Sequence, residues 1–413
     1  MKKIILLLIL FNVLILSGCN FLGSDQEETT SNVDISNFIK ISTIDELKSM
    51  NPNKSYELDN DIDLNYEEWI PIGTYQNPFR GNFRGNGYTI SNLKITKNNN
   101  GYNGLFGNLE GNVENLNIVN FDISFTTDFL ANVGGLAGFS SGTIESVYVS
   151  GNIDINSTNS NLYLGLLVGS VETKLDSLVI AKQFRPNYLN DNFSTGSIIV
   201  AAEDITYAGG LVGKAYNTGF NNNVVDNFNI TVTEVNSSTF IGGLIGHNFL
   251  YDVETIEPSL SVNKKLVNKN IVNAKFIVDN NAELSLGGLV GYNQNVILDT
   301  NFVTSDIEVI GDTSYLGFLV GENWVVDISN NLAINTNLVA NFNNNNISTI
   351  SGQIFESEII NNLYYISEDY TEINLQGSSV EYDNLLSDQF YNDNFENLSN
   401  AFIILIKATL FDE

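Results

Sequence analysis

The chain has little of several residue types on which familiar active sites depend. Its 413 residues include one Cys, one His and five Pro. One Cys and one His exclude an internal disulfide, a four-cysteine zinc site and a zinc helix with two histidines. We therefore expect no metal centre and no cofactor.

Basic residues are also scarce. The chain has 18 Lys and Arg against 48 Asp and Glu, which gives a formal net charge of −30. Such a charge opposes binding to any polyphosphate, so we expect no nucleic-acid partner. Hydrophobic residues make up 43% of the chain and aromatic residues 11%, a composition typical of a folded protein with a sizeable core.

The first nineteen residues have the pattern of a secretory signal. Two lysines precede an apolar run over 4–11, and small residues precede Cys19. The tetrapeptide 16–19, Leu-Ser-Gly-Cys, resembles the lipobox of bacterial lipoproteins. The resemblance implies export, a lipid thioether on Cys19 and cleavage before it. The alternative is an ordinary signal peptide, residues 1–18, next to which the Cys is incidental.

Residues 19–37 are polar and acidic, with little to bury, and we expect them to form a flexible tether. Anchored through Cys19, the mature chain would be attached to a bacterial cell membrane on its extracytoplasmic face. Acyl chains would hold it there without a spanning helix. Its acidic surface would be repelled by anionic headgroups.

A glycine-framed apolar pentad recurs along the chain, and such repeats are typical of proteins built from stacked units. The closing glycines of successive copies are 30 to 45 residues apart. A fainter eighth copy lies at 351–355. The seven clear copies lie at 104–107, 134–138, 165–169, 209–213, 242–246, 287–291 and 317–321.

The stretches between pentads alternate apolar and polar residues, as in 228–232, which indicates strands. A unit of two or three short strands cannot close its own core, whereas stacked units bury their inward side chains. We therefore predict an all-β fold, a right-handed parallel β-helix (β-solenoid) of about eight coils over 38–384. Glycine suits the corners because it admits positive φ and close approach, and Asn because it tolerates the left-handed region and stacks in amide ladders.

Both ends of a solenoid need a cover, since an open rung would pair with other chains. Residues 43–50 fit a helix with Thr43 as N-cap and Glu46 as its capping-box partner, which predicts a short N-terminal capping helix. Residues 385–413 contain an apolar run at 401–406 and are predicted to cap the last coil.

The pentads resemble the GLUG motif of bacterial surface proteins. These include the non-catalytic N-terminal repeat region of IgA-specific metalloendopeptidases and adhesin-like exoproteins. Residues 56–64, 69–73 and 79–90 are similar to the opening coil of that family, and the resemblance extends over about residues 40–355. It implies a β-solenoid and says little about function, because the catalytic part of such proteases is a separate domain.

Three carboxylates near the start of the repeats have the spacing of a possible calcium site. Asp59, Asp61 and Asp63 have the spacing with which calcium loops begin, but an EF-hand loop needs Gly and Glu where the chain has Leu64 and Ile70. We interpret the stretch as a strand whose acids face water. No coil carries a compact cluster of Asp with Arg, Lys or His, so we assign no catalytic residue and expect no enzyme.

Two repeats are long because each has an insertion between its pentad and the following strand. One ordinary unit separates them, so we expect both insertions at the same corner, about 10 Å apart. Aromatic residues with Arg are typical of binding hot spots, although both insertions could be surface loops without a role. His247, directly after its pentad, is expected to be an exposed corner residue. The predicted ligand-binding residues are Phe184, Arg185, Tyr188, Phe249 and Tyr251.

The sequence thus predicts a cell-surface lipoprotein with a non-enzymatic, adhesin-like binding role toward an extracellular protein or glycan. A passive structural spacer or envelope protein is the main alternative. A carbohydrate-active enzyme is a third.

Overall fold

The computed structural model describes residues 37–173, 187–235, 237–251, 264, 266–280, 282–311, 314–340, 345–367 and 372–411. Several sequence predictions lie outside these residues. They are the signal peptide, the lipidation of Cys19, nearly all of the tether, and the binding roles of Phe184 and Arg185.

The described residues form a parallel β-solenoid, which confirms the predicted fold class. Three parallel sheets run along it, one of 21 strands and two of eight strands each. We name them the long, second and third sheets. In most coils the chain passes through one strand of the second sheet, one of the third sheet, and then a short and a longer strand of the long sheet.

The long sheet contains the strands Ile39–Ile41, Tyr56–Leu58, Ile62–Asp63, Phe83–Arg84, Thr89–Ser91, Lys94–Ile95, Val113–Thr127, Ile144–Ser157, Asn187–Asn190, Phe193–Ala202, Thr218–Asn221, Val224–Val235, Val267–Asn268, Ile271–Asn280, Leu298–Asp299, Phe302–Ile310, Ile328–Ser329, Leu332–Val339, Ile359–Ile360, Leu363–Ile366 and Ser378–Ser379. The second sheet contains Tyr102–Asn103, Ala131–Val133, Leu162–Gly165, Thr206–Gly209, Thr239–Gly242, Leu284–Gly287, Ser314–Gly317 and Asn345–Ser348. The third sheet contains Phe106–Leu109, Ala137–Ser140, Val168–Glu172, Val212–Tyr216, Ile245–Phe249, Val290–Gln294, Val320–Trp324 and Ser351–Phe355.

Successive coils lie in register. The first glycines of five successive pentads pair in one row across the second sheet, from Gly165 to Gly317. The faint copy at 351–355 forms a rung of the third sheet, in which Ser351 pairs with Val320. Eight strands in each of these two sheets confirm the prediction of about eight coils. The handedness of the coil stays a prediction.

A ladder of buried asparagines closes the corner between the short and the longer strands of the long sheet. At each step the backbone N–H and the side-chain Nδ2 of one Asn both donate to the Oδ1 of the next, at 2.8–3.1 Å. Each Nδ2 also donates to a backbone carbonyl, so these buried amides are satisfied. The predicted amide ladder is therefore confirmed. Its members are Asn192, Asn223, Asn270, Asn301, Asn331 and Asn362.

Of the two predicted roles of the pentad glycines, positive φ and close approach of the backbone, the structure shows one. Among the described residues no pentad glycine has a left-handed backbone, whereas asparagines such as Asn222, with φ 56°, do. The prediction that pentad glycines supply positive φ is wrong, because asparagine takes those positions. The glycines allow close approach instead, since a Cβ on Gly213 would lie 2.5 Å from the backbone nitrogen of Leu164.

The predicted N-terminal capping helix is α1, Ile44–Lys48. The Thr43 hydroxyl accepts from the Glu46 backbone N–H, and the Glu46 carboxylate accepts from the Thr43 N–H, which confirms the capping box. Leu47 is fully buried in the core that continues into the first strands. The helix therefore covers apolar surface at the N-terminal end.

Three helices follow the last coil: α2 (Tyr382–Leu385), α3 (Asp388–Asn394) and α4 (Asn400–Leu410). They lie along the outer face of the long sheet, whereas the sequence predicted a cap on the last coil. The reason is a row of outward-facing apolar side chains, one on each of six successive coils, which the helices bury. This flank row consists of Tyr148, Phe193, Val224, Ile271, Phe302 and Leu332.

Candidate functional site

The second and third sheets meet at an inward-folded corner, so that their outward faces form the two walls of a cleft. The closing glycine of each pentad lies where the walls meet. A Cβ on Gly246 would lie 2.6 Å from the backbone nitrogen of Ala208 in the second sheet, and one on Gly291 would lie 2.6 Å from that of Ile241. The pentads therefore build the cleft, because only glycine lets the walls approach this closely.

The second-sheet wall carries a stack of aromatic rings. Tyr163, Tyr207 and Phe240 occupy equivalent positions on three successive coils. The ring centroids are 5.1 Å apart for the two tyrosines and 5.2 Å apart for Tyr207 and Phe240, with nearly parallel planes. The spacing between neighbouring strands thus sets the ring spacing.

The third-sheet wall continues the aromatic surface. His247 stacks on Tyr292 with 4.8 Å between ring centroids, and Trp324 packs on Phe355 at 4.5 Å. The walls touch each other where Phe240 meets His247 edge-on at 5.7 Å. We call this surface the aromatic cleft. Its members are Tyr163, Tyr207, Lys214, Tyr216, Phe240, His247, Phe249, Tyr251, Tyr292, Trp324 and Phe355.

One basic side chain lies in the aromatic cleft. The Nζ of Lys214 is 4.5 Å from the ring centroid of Tyr207, 5.0 Å from that of Tyr216 and 5.2 Å from that of Tyr163. Burial lowers the pKa of Lys214, while Tyr163 and Glu172 act in the opposite direction. Three rings around one ammonium form a cation–π arrangement, which places a positive charge inside the cleft of an acidic protein.

His247 is not the exposed corner residue that the sequence predicted. Tyr207, Phe240 and Tyr292 surround its ring, because the position after the pentad lies on the wall of the cleft. Burial, and secondarily the charge of Lys214, lower the pKa of His247 to about 3. Its Nδ1 is buried and has no hydrogen-bond partner among the described residues. The imidazole is therefore neutral at pH 7.

Three aromatic residues lie where the insertions leave the solenoid. Tyr216 and Phe249 pair in register at the ends of third-sheet strands, and Glu172 precedes them on the coil before. The Tyr216 ring lies 5.8 Å from that of Phe249 and 5.9 Å from that of Tyr251. The insertions follow Thr173 and Tyr251, so the register confirms that both leave the same corner. Phe249 and Tyr251 thus belong to one half-exposed cluster.

Tyr188 lies apart from this cluster. It belongs to the strand Asn187–Asn190 of the long sheet, and its ring covers Gly219 on the next coil. The ring packs against the core, and burial raises the pKa of the Tyr188 hydroxyl. We interpret Tyr188 as a packing residue, and ligand binding at the five predicted positions stays a prediction.

Comparing equivalent positions outside the pentads would have revealed two rows of aromatic residues from the sequence, although not that the two rows face each other. The residue two places before the first glycine is Tyr or Phe in five of the seven clear copies. The residue three places after the closing glycine is aromatic in four of all eight copies. The residue directly after the pentad varies in type, which hides its place on the cleft wall.

The acids of the first coil have separate structural partners. Asp59 pairs with Lys40 at 2.8 Å, and Asp61 accepts a hydrogen bond from the backbone N–H of Thr89. Asp63 accepts from a backbone N–H and from a neighbouring amide, and these bonds lower its pKa. All three side chains are exposed, as predicted, but the stretch forms two short strands, Tyr56–Leu58 and Ile62–Asp63, with a bend between them, so the prediction of one continuous strand is wrong.

A second concavity, of about 810 Å³, lies between the asparagine corner and α3. Its lining is polar and includes Lys269, Asp299, Asp393 and Glu396. Asp299 already accepts a hydrogen bond from Ser329. The aromatic cleft is the stronger candidate, because aromatic side chains and cations contribute most of the binding energy at protein surfaces.

None of the helices in the described ranges is both long and apolar enough to cross a membrane.

No family model matches the chain. Its sequence is similar to "Halomucin" of Haloquadratum walsbyi, with 39% identity over 95 residues, which cover 22% of this chain and 1% of that protein. It is also similar to a "Putative Gly-rich membrane protein" of Evansella cellulosilytica, with 37% identity over 108 residues, which cover 23% of this chain and 12% of that protein. The matches thus span a small part of both curated relatives.

A solved structure described as a "putative immunoglobulin A1 protease from Bacteroides ovatus" is similar along most of the chain. It covers 89% of this chain and 91% of its own, with 13% sequence identity and a TM-score of 0.36.

Proposed function

We propose that the chain is a lipid-anchored protein of the bacterial cell surface that binds an extracellular protein or glycan through the aromatic cleft and catalyses no reaction. The lipobox sequence at 16–19 supports the anchor at Cys19. The similarity to a protein named as a membrane protein agrees with this location.

The observation that carries the binding role is the partly exposed aromatic surface of the cleft. Tyr207, in the middle of the ring stack, is buried, whereas Phe240 and Tyr292 keep part of their surface open. Contiguous exposed apolar surface marks interaction sites. Because the rings stand on a regular sheet and pack on each other, little conformational entropy is lost when a ligand docks on them.

The titratable groups of the cleft favour binding over catalysis. His247 is a weak base, since its pKa is lowered to about 3. Burial raises the pKa of Glu322, and the charge of Glu283 acts in the same direction. Its neighbours on the adjacent coils, Tyr292 and Gln353, are not acids. Sugar hydrolysis needs a pair of carboxyl groups, which here would be Glu322 with the exposed Glu283, and the sugar-release outcome below tests that pair.

The proposal is tested on an array of glycans and matrix proteins with the purified chain from Asn37 onward. We expect a ligand that the parent chain binds and that the double variant Tyr216→Ala/Tyr251→Ala binds at least about tenfold more weakly. Tyr88→Ala, which removes an exposed ring elsewhere on the solenoid, is the matched control and should bind as the parent does.

Three outcomes would contradict the proposal in different ways. Unchanged binding by the double variant would remove the aromatic cleft as the site. A parent chain without any ligand on the array would favour the passive spacer. Release of sugars from an arrayed glycan would favour the enzyme.

A further inference from the structure

The most exposed large apolar side chains of the described residues lie at the N-terminal end of the solenoid. Ile70, Phe129 and Tyr75 are 72%, 71% and 69% exposed, more than any other large apolar residue described. Leu130, next to Phe129, is 38% exposed. We call these four residues the N-terminal surface.

Contacts place the N-terminal surface on the first two coils. The Tyr75 ring stacks on Tyr102 with 6.2 Å between centroids. The backbone before Tyr102 touches the next coil, since a Cβ on Gly101 would lie 3.1 Å from the carbonyl oxygen of Leu130. Ile70 precedes the segment that bridges to the first strand of the third sheet. The four residues therefore share the end of the solenoid that the chain enters first.

Basic residues are concentrated toward this end of the molecule. Residues 38–133, which include all four side chains, contain seven basic and 12 acidic residues, a net charge of −5, whereas residues 134–413 contain nine and 32, a net charge of −23. Anionic headgroups repel acidic surfaces and attract lysines. The N-terminal coils are therefore the part of the solenoid that can approach a bilayer at the smallest electrostatic cost.

The length of chain before the solenoid keeps this surface near any anchor at Cys19. The residues between Cys19 and the first described strand can span at most about 60–70 Å even when fully extended. A short linker gives an effective concentration in the millimolar range. A weak affinity of the N-terminal surface for lipid would therefore be enough to hold it there.

We propose that the N-terminal surface rests in the headgroup region of the membrane that carries the anchor, with the later, acidic coils directed away from the bilayer. Exposed aromatic and aliphatic side chains are the residue types that partition into this region. The inference rests on the membrane attachment in the proposed function and is independent of the ligand.

A fluorescence experiment tests where each end of the solenoid lies. The chain from Asn37 onward is attached by an N-terminal histidine tag to phosphatidylcholine vesicles that contain nickel-chelating lipid, with and without brominated acyl chains. Tyr75→Trp reports on the N-terminal surface, and Phe355→Trp, exposed near the other end, is the matched control. We expect brominated lipid to quench the added emission of Tyr75→Trp and to leave that of Phe355→Trp unchanged.

A partition experiment without the tag tests the side chains themselves. We expect the triple variant Ile70→Ser/Tyr75→Ser/Phe129→Ser to co-sediment with phosphatidylcholine vesicles about tenfold less than the parent chain. The control Ile199→Ser/Ile310→Ser/Val339→Ser removes apolar side chains of substantial exposure elsewhere and should behave as the parent does.

Equal quenching at both probes, or equal partition of the triple variant and the parent, would overturn the proposal. A concentration-dependent dimer in vesicle-free solution that the triple variant abolishes would also overturn it, by assigning the surface to a second copy of the chain. Because the tag replaces the natural anchor, loss of lipidation at Cys19 would refute the proposed attachment and leave these results unchanged.

Discussion

Two rows of outward-facing aromatic and apolar side chains run along the solenoid, and the described residues cover one of them more completely than the other. In the flank row, Phe302 is fully buried and its ring lies 4.8 Å from that of Phe395 and 6.2 Å from that of Tyr391. In the aromatic cleft, Phe240 and Tyr292 remain partly exposed. The same side-chain chemistry therefore stabilises the fold on one face and is open to a ligand on another.

The difference shows which contacts the solenoid itself needs. The C-terminal helices bury the flank row, and burial of apolar surface is the main source of folding free energy. The cleft rings that remain partly in water bury less apolar surface, so their stacking contributes less to the free energy of folding than the flank row does. A row that the described residues leave partly uncovered is the one that we expect a partner to cover.

The largest expected effect separates the two rows by stability. Phe302→Ala should reduce the free energy of unfolding by about 3–5 kcal/mol, because it leaves a cavity under α3 and α4. Phe240→Ala, the matched change in the cleft, should cost about 1–2 kcal/mol since its ring is partly exposed. Urea unfolding measures both, and hydrogen exchange should show protection lost first in 400–410. Equal costs would mean that the cleft row is as structural as the flank row.

The next effect sharpens the comparison through pH. The pKa of His247 is lowered to about 3, below its ordinary value of 6.5, so the unfolded chain binds a proton that the folded protein does not. The free energy of unfolding therefore has its full value above pH 6.5 and decreases as the pH falls toward 3. The decrease due to His247 is about 3 kcal/mol at pH 4.5. His247→Phe should remove that loss.

Urea unfolding of the parent and of His247→Phe at several pH values gives the measurement. The difference between the two free energies should grow steadily in favour of the variant from pH 7 to pH 4.5. A constant difference would show that the imidazole is solvated and that the cleft is more open than the ring contacts indicate.

An effect of similar size but opposite sign lies at the asparagine corner. Burial, and then the charge of Glu145, raise the pKa of Asp191 to about 6, although Asn222 opposes this. The folded protein therefore binds the proton more tightly, and this group destabilises it as pH rises from 4 through 6. Asp191→Asn should add about 3 kcal/mol at pH 7 and nothing at pH 4, since Asn also tolerates the φ of 54° at this position.

Thermal or urea unfolding at pH 4 and pH 7 distinguishes this change from a general stabilisation. An equal gain at both pH values would indicate that the ionised carboxylate carries no penalty. Opposite pH responses of the His247 and Asp191 variants would show that the cleft and the asparagine corner titrate independently.

Local patterns were sufficient to predict the solenoid. Alternation and a recurring pentad require each coil to stack on the next, and an asparagine at one position of six successive repeats predicts the ladder from Asn192 to Asn362. The capping box at Thr43 is likewise a signal of four consecutive residues. Such features depend on neighbours along the chain or one repeat away, so the pattern contains them.

The aromatic cleft and the flank row could not be predicted with the same ease. Consecutive apolar pairs such as Phe302 and Val303 put one side chain inside and one outside, and alternation alone does not say that helices will cover the outer one. His247 looks like a variable corner residue until the fold brings Phe240 beside it.

By itself the sequence determined the parallel solenoid, its number of coils, its ladder and its charge distribution, because these follow from periodicity and composition. The tertiary structure decided which outward rows are buried by the C-terminal helices, how the closing glycines fold two sheets into a cleft, and which exposed residues gather at the N-terminal end. Those outcomes depend on the angle between sheets and on contacts between segments far apart in the chain, which no local pattern contains.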